Sequence, residues 1–495
     1  MDKTQFSLGL VVERWFRPWP MQLAWFLLIA LVTRYTVLGD PNYHDDESLF
    51  FLIGQRMHDG FVPYVDIWDR KGPGLFVLFW LFAGISDSVL AYQIPALAFA
   101  ALTAFVLARI AYLYTGRMGA LLAGTFYLVL LPRVLGGGGQ AGVWFNLLTV
   151  VAAWLVLSRT VAKVPTRASV GAMLLCGVAI TFKQTCLFDG AFLGLVLLWQ
   201  HHRAGADRAQ LFKAAALYCA VGAAPMTLAA GIYLAIGHFP ELWHAMVLSN
   251  LDKDYNPTSD IGGRVVAMLV VLAPLLPFAV FGLAKRLDYQ GKTAPRLILG
   301  GWLLATLLAL AAIPNFIDHY LLPVIVVLPL CAAPTLQREP FGAVLGAFGI
   351  VLIAAFGPQF DLPHRQESRH AISQLTAEIL ASEPAPRLFV FQGPVALYAT
   401  TGLNPPTPLA FPLHLEALPE RNVSHLDTAT EVRRVLAWQP TTVITLHTQR
   451  RLVNPETRDL VMPWVRAHCR TRSTRNLPNR YGDRLFDVWS NCSVR

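Results

Sequence analysis

The chain has 495 residues, of which 55% are hydrophobic and 14% charged, with a formal net charge of +9 and a mean hydropathy of +0.47. Soluble domains carry about 25% charged residues, so this balance excludes an ordinary soluble globular protein and indicates a polytopic membrane protein. The surplus of Lys and Arg is then explained by basic loops on the cytoplasmic side of a membrane, and no nucleic-acid partner is expected.

Met1 to Pro20 is polar and basic, and the apolar run Met21 to Leu38 lacks a persuasive small-residue cleavage site. The run therefore reads as a retained first helix with a cytoplasmic N-terminus. Apolar spans lie near 20–39, 89–110, 118–135, 142–158, 169–182, 187–200, 212–236, 264–284, 297–313, 320–335 and 341–357. They make about eleven crossings, some of them short against the roughly twenty residues that a bilayer needs.

The apolar piece 74–85 decides the topology of everything after it. If it does not cross, the linkers carrying Arg109 and Arg117, Arg159, Lys163 and Arg167, Arg203, Arg208 and Lys213, Lys285, Arg286, Lys292 and Arg296, and Arg338 all fall inside. That is the distribution which the positive-inside bias predicts. The piece is accordingly read as a re-entrant or surface-lying helix within a long first external loop, 40–88.

The expected fold is mainly α: a helical membrane bundle over 1–357, with interfacial helices in its first external loop, then a small α/β domain over 358–495 on the periplasmic side. In that polar, Pro-rich and Arg-rich tail, helical patterns (Glu367 to Ser382, Thr428 to Trp438) alternate with β-rich runs (Leu388 to Gln392, Thr441 to Leu446, Leu485 to Val488). Cys176, Cys186, Cys219 and Cys331 lie in or beside spans and read as small apolar residues. Cys469 and Cys492 in the tail can pair in an oxidising compartment, although spacing alone does not establish the geometry. No C-x-x-C or H-E-x-x-H metal pattern is present.

The external side collects residues of a different character. Asp45, Asp46, Glu47 and Lys71 come from the first loop, and Arg133 with Gly136 to Gln140 from the next. Lys183 and Gln184 follow, then Glu241, His244, Asp252, Lys253 and Asp254, and finally Asn315, Asp318, His319 and Tyr320. The segment Glu47 to His58 has apolar residues at Leu49, Phe50, Phe51, Leu52, Ile53 and Met57, and is expected to lie in the interface as an amphipathic helix. Asp46 or Glu47 then sits near its N-terminus, where the helix dipole favours an ionised carboxylate, able to take a proton from an attacking hydroxyl or amine. Lys71 can neutralise a phosphate as a point charge. Each has a plainer role available: a helix cap for Asp46, an interfacial anchor for Lys71, Arg133 or Lys183, and a helix end for His319 and Tyr320. The run Gly136 to Gly139 lacks the Lys-Ser/Thr of a nucleotide loop and reads as a flexible connection.

Within the first loop, Asp46-Glu47, Gly60-Phe61-Val62-Pro63-Tyr64 and Lys71-Gly72-Pro73 occur in order. This series resembles the first external loop of the GT-C type membrane glycosyltransferases related to protein O-mannosyltransferases and to the aminoarabinose transferase acting on lipid A. The polar-aromatic stretch Asn315 to Pro323 resembles the entry to a late helix in the same enzymes. The resemblance implies a polyprenyl-phosphate-linked sugar as donor and an acceptor approaching from the periplasm, either a lipid-linked glycan, a lipopolysaccharide component or a protein. It also implies an inverting displacement at the inner membrane. By position Asp46 is the general base, with Asp45 and Glu47 as alternatives one register away. Lys71 binds the donor phosphate, with Arg133, Lys183, His319 and Tyr320 as further candidates. Tyr64, Asp69, His244 and Asp252 are candidates for sugar or acceptor contact. Many such enzymes carry an acid in the next external loop, where Gly136 to Trp144 has none, so metal-independent catalysis without a cofactor is expected. A polyprenyl-diphosphate oligosaccharide ligase or polymerase would want the same external cations. A secondary transporter fits less well, because the acids cluster at span ends and no inverted repeat is evident.

Overall fold

The computed structural model describes residues 15–159, 162–253, 260–284, 295–448 and 452–493. Asp254, Lys285, Arg286 and Lys292 lie outside them. Short turns aside, the helices in chain order are α1 (Trp19–Arg34), α2 (Asp45–His58), α3 (Pro73–Ala83), α4 (Leu90–Ala111), α5 (Arg117–Leu130), α6 (Ala141–Leu157), α7 (Arg167–Ile180), α8 (Cys186–Arg203) and α9 (Arg208–Ala235). They continue with α10 (Ile261–Leu272), α11 (Leu276–Ala284), α12 (Pro295–Ala311), α13 (Val324–Leu336), α14 (Phe341–Ala355), α15 (Leu362–Ala381), α16 (Ala396–Thr401), α17 (Thr428–Ala437) and α18 (Pro455–His468). Each expected apolar span coincides with one of these helices, or with a bent pair of them. Among the described residues, Leu90–Ala111, Arg117–Val134 and Arg208–Ala235 are long and apolar enough to cross a membrane, and α10 with α11 makes a fourth candidate, bent by 74°. The other apolar helices are shorter.

The chain divides into two compact units, neither of them a continuous stretch. The first takes in the described parts of Met1–Thr36, Ile94–Leu228 and Ser259–Phe360. Its helices approach through small residues, as membrane helices do when packing rather than hydrophobicity drives association. A Cβ on Gly177 would stand 2.4 Å from the Gly222 carbonyl oxygen, and one on Gly282 would stand 2.0 Å from that of Cys331. Local signals set the helix starts: Thr166 and Ser169 form a reciprocal capping box before α7, and the Gln140 side chain accepts from the Ala141 N–H before α6.

The second unit comprises Val37–Gln93, Ala229–Thr258 and Asp361–Arg495. It holds α2 and α3 from the first loop together with the whole tail. The tail folds around a four-stranded sheet of β1 (Leu388–Val390), β2 (Thr442–Leu446), β3 (Cys469–Asn476) and β4 (Leu485–Cys492) in the order β1-β2-β4-β3. The β1–β2 pair is parallel and the other two pairs are antiparallel. Cys469 and Cys492 face each other across β3 and β4 and are joined by a disulfide.

One expectation for the first loop changes. The α2 helix is not laid on a surface by one face: Glu47 to Gly54 are all buried, so its consecutive Leu49, Phe50, Phe51, Leu52 and Ile53 are enclosed by neighbours on all sides. One such neighbour is α3, and Gly54 permits the contact, since a Cβ there would come within 2.5 Å of the Phe79 carbonyl oxygen. Here α3 buries Leu75, Phe76, Phe79 and Phe82 and leaves Val77, Trp80 and Leu81 exposed, the helical spacing of one inward and one outward apolar stripe.

Candidate active site

In the second unit the acidic cluster opens α2. His44 is the N-cap, in extended conformation, and its Nδ1 accepts from the Asp46 N–H at 3.2 Å. Asp45, Asp46 and Glu47 fill the first helical turn, where unsatisfied N–H groups and the helix dipole favour negative charge. The turn is pinned from behind by Ser48, whose hydroxyl donates to the Pro41 carbonyl at 2.7 Å. The three acids meet different surroundings. Glu47 is wholly buried, with the Tyr92 hydroxyl 3.5 Å from its Oε1. Asp45 lines a small cleft with Gln392, Phe411, Glu416 and Arg484. Asp46 retains part of its surface, its side chain 16% exposed, and stands 3.8 Å from Lys71 Nζ.

Lys71 is presented by the loop between α2 and α3. Gly60, at φ +88°, lets the chain reverse after α2. Tyr64 then adopts φ 71°, its N–H donating to the Ile67 carbonyl at 2.7 Å and its hydroxyl to the Lys71 carbonyl at 2.8 Å. Tyr64, expected at the sugar or acceptor, is fully buried, and its hydroxyl supports the loop that carries Lys71. Asp69 accepts from the Arg70 and Lys71 N–H groups and lies 3.9 Å from Lys71 Nζ. The ammonium also sits over the Phe50 ring, 5.2 Å from its centroid. Lys71 therefore stands between two carboxylates on an aromatic floor.

Beside it is a group that sequence reasoning did not single out. Glu420 Oε1 accepts from Arg70 Nη2 at 2.9 Å and pairs with Lys253 Nζ at 2.6 Å. Burial alone would raise the Glu420 carboxyl, but Arg70 and Lys253, then His414, outweigh it and hold it at about 2. For Lys253, burial and then the neighbouring Arg70 lower the ammonium, against the pull of Glu420; Lys71 adds to the lowering. Arg70 lies over Trp68, and Trp68 meets His414 edge-on at 4.6 Å. Burial first of all lowers His414 to about 4, so it is neutral near pH 7. Further off, His244 Nε2 lies 3.7 Å from Asp252 Oδ2 and its ring 6.0 Å from that of His425.

The loop with the acids is tied to the tail of the same unit. Asp40 accepts from Ser368 Oγ at 2.8 Å and pairs with Arg365 at 3.3 Å. Asn42 Nδ2 donates to the Pro478 carbonyl at 2.7 Å, the Arg480 N–H to the Tyr43 carbonyl at 3.2 Å, and the Trp68 N–H to the Pro408 carbonyl at 2.8 Å. Burial raises the Asp40 carboxyl above the ordinary carboxylate range, against the opposing effects of Ser368, Arg365 and the Asn42 N–H.

The first unit gathers a second set of the expected residues. Lys183 is buried with its ammonium 4.1 Å from the Tyr320 ring centroid, and the His319 and Tyr320 rings are 4.4 Å apart. The turn Asp318–Leu321 that carries them packs on the turn Leu131–Val134 that carries Arg133. Arg133 donates to the Phe356 carbonyl. The glycine run is not a loose connection: Arg34, the buried last residue of α1, donates to the carbonyls of Gly136 and Gly138, and Trp144 Nε1 donates to that of Gly139 at 2.8 Å. Arg34 is a further residue missed in sequence, although a cation inside an apolar span was a signal for it. Glu420 had none, sitting in a Pro-rich stretch without motif.

No protein-family model matches the sequence, and neither does any curated protein. Solved structures do match. ArnT from Cupriavidus metallidurans bound to undecaprenyl phosphate aligns with a TM-score of 0.59 at 15% identity, over 95% of this chain and 99% of that one. The apo form of that ArnT gives 0.60 at 14% identity, over 94% and 97%. The apo oligosaccharyltransferase of Archaeoglobus fulgidus gives 0.51 at 11%, over 90% of this chain and 70% of that one. The chain therefore shares the fold of these GT-C glycosyltransferases, the class that its first-loop motif resembles.

Proposed function

We propose that this chain is a membrane glycosyltransferase that moves a sugar from a polyprenyl phosphate to an acceptor at the periplasmic face of a bacterial inner membrane. The observation that carries the reading is the Asp46–Lys71 pair at the head of α2, in a chain with the fold of an ArnT that was solved with undecaprenyl phosphate. In the proposed step an acceptor oxygen or nitrogen attacks the anomeric carbon and its proton passes to Asp46. The bond from that carbon to the phosphate oxygen breaks, and the phosphate leaves with the electron pair. The phosphodiester gains one negative charge as Asp46 loses one, so Lys71 exchanges a carboxylate partner for the leaving phosphate. A fixed cation aimed at charge that develops in the transition state is the arrangement that accelerates such a step.

Arg70 and Lys253, from the same unit, add positive charge beside Lys71. Within the first unit, Lys183, His319, Tyr320 and Arg133 are assigned to binding an anionic phosphate group, a reading that the Lys183–Tyr320 contact supports. Asp69, His244 and Asp252 keep their assignment to sugar or acceptor. Tyr64 is reassigned to support of the Lys71 loop. Catalysis is assigned to the protein's own cations without a metal, because the segment Gly136 to Trp144 supplies no acid and its glycine carbonyls are bound by Arg34 and Trp144.

Purified protein incubated with radiolabelled polyprenyl-phosphate sugar and an envelope extract is expected to label a lipid-linked glycan, a lipopolysaccharide component or a protein, and to do so in the presence of chelator. Uptake of sugar by proteoliposomes with no labelled product under any donor would sink the reading in favour of transport.

A further inference from the structure

We infer that Glu420 is a positioning residue of the anion site, its carboxylate holding Arg70 and Lys253 in place to serve the same phosphate as Lys71. The inference rests on the glycosyltransferase reading only for the identity of that anion. Its geometric basis is the convergence of three distant stretches on one oxygen. Arg70 comes from the first loop, Lys253 from the segment 229–258 and Glu420 from the tail, all within the second unit. Both cations meet Glu420 at Oε1, at 2.9 and 2.6 Å, while Oε2 is buried without a hydrogen bond. A bridge serving stability alone would gain by using both oxygens, and a buried ion cluster is in any case weak support for a fold, since apolar residues of similar volume often do as well. What the arrangement does achieve is to keep two like charges close together beside a third.

The charge balance points the same way. The group of Asp46, Asp69 and Glu420 with Lys71, Arg70 and Lys253 sets three carboxylates against three cations. It gains one positive charge when Asp46 takes the acceptor's proton, matching the negative charge that the leaving phosphate gains. Lys253 is the vulnerable member. It is buried near Arg70, Lys71 and His414; burial and then the two cations lower its ammonium, and Glu420 acts against that lowering through both its charge and its hydrogen bond. Removing that carboxylate takes away a favourable partner of a buried cation, so the ammonium is held less firmly in its charged form and in its place.

The test uses the full purified chain with undecaprenyl phosphate as binding probe, alongside steady-state transfer. Glu420→Gln is expected to weaken probe binding by about tenfold or more, with the larger loss at the alkaline end of the range, because losing Glu420 lowers the Lys253 ammonium further. The KM for donor should rise in parallel while kcat at saturating donor stays within about threefold. Glu420→Asp should restore part of the affinity, and Lys253→Met added to Glu420→Gln should cause little further loss. Wild-type binding with a folded Glu420→Gln protein unchanged across the pH range overturns this inference alone, as does a uniform loss that neither pH nor Glu420→Asp relieves. Failure of the wild type to bind the probe overturns the underlying reading and this inference with it. Should Glu420→Gln not fold, Lys253→Met alone must show a weakened, pH-independent affinity, and wild-type behaviour in that variant overturns the inference.

Discussion

The Lys71 ammonium lies 3.8 Å from the Asp46 carboxylate, near enough for attraction and too far for a hydrogen bond. In the proposed step the carboxylate takes a proton and the ammonium meets a phosphate. Asp46→Asn keeps the shape and removes the proposed base. Sugar transfer is expected to fall by about 100-fold or more in kcat, with polyprenyl phosphate binding equal to or tighter than wild type because Lys71 loses a competing anion. Transfer at the wild-type rate would move the base to Asp45 or Glu47.

Lys71→Met preserves contact with Phe50 and removes the charge. Donor KM should rise by about tenfold or more. Lys71→Arg should recover only part of this, because a planar guanidinium cannot fill the place of a compact ammonium between Asp46 and Asp69. Donor titrations of the two variants, fitted for kcat and KM separately, provide the check.

His414 makes the loop–tail unit sensitive to acid. Its folded pKa is about 4 against an ordinary 6.5, so between those values the unfolded chain binds a proton that the folded chain does not. The stability it contributes is present in full above about pH 6.5 and is lost as pH falls through the window to about 4, on the order of a few kcal/mol. Glu420, held at about 2 against an ordinary 4.5, adds a second loss as pH falls below about 4.5. Thermal melting of wild type should therefore fall steadily from pH 6.5 downward. His414→Phe, which suits the aromatic neighbours Trp68 and Phe411, should flatten the upper part of that decline.

Asp40 and Arg365 form a pair with side chains 0% and 4% exposed. Removing either leaves the other charge buried, so Asp40→Ala and Arg365→Ala should each destabilise by about 3 kcal/mol or more, and the double variant by clearly less than their sum. A double-mutant cycle from unfolding in detergent measures the coupling.

Gly54 sets the distance between α2 and α3. Because the clash of an added Cβ is with the Phe79 backbone, which cannot rotate away, Gly54→Val should cost about 1–3 kcal/mol or shift α3. Since α3 begins at Pro73, two residues after Lys71, transfer should fall together with the melting temperature.

What was readable in the sequence follows from which signals are local. Membrane helices announce themselves by composition, so the apolar runs and the helices agree closely, and the same holds for the tail pieces Thr428–Ala437 and Thr442–Leu446. β3 was missed because Cys469–Asn476 is a largely exposed strand at the sheet edge, rich in Arg and Thr and without apolar alternation. The enclosure of α2 was missed for a different reason. Its run Leu49 to Ile53 is apolar on all faces, the pattern of a buried helix, but what buries it comes partly from a remote segment, α16, which packs against it. Asp46, Lys71 and their order were legible as a motif. Glu420 was not, and Lys253 was legible only as one of several external charges, because their meaning lies in meeting Arg70 from elsewhere in the chain.

The attachments of the acidic loop also impose an order on how the protein can be made. Residues 37–93 leave the ribosome long before their partners: Asp40, Asn42, Tyr43 and Trp68 meet Arg365, Ser368, Pro408, Pro478 and Arg480, about 300 residues or more further along the chain. A nascent or truncated chain would carry its acids and Lys71 without the scaffold that sets them against each other. The geometry of the Asp46–Lys71 pair thus depends on contacts supplied from 361–493, and a chain cut before them would lack those contacts.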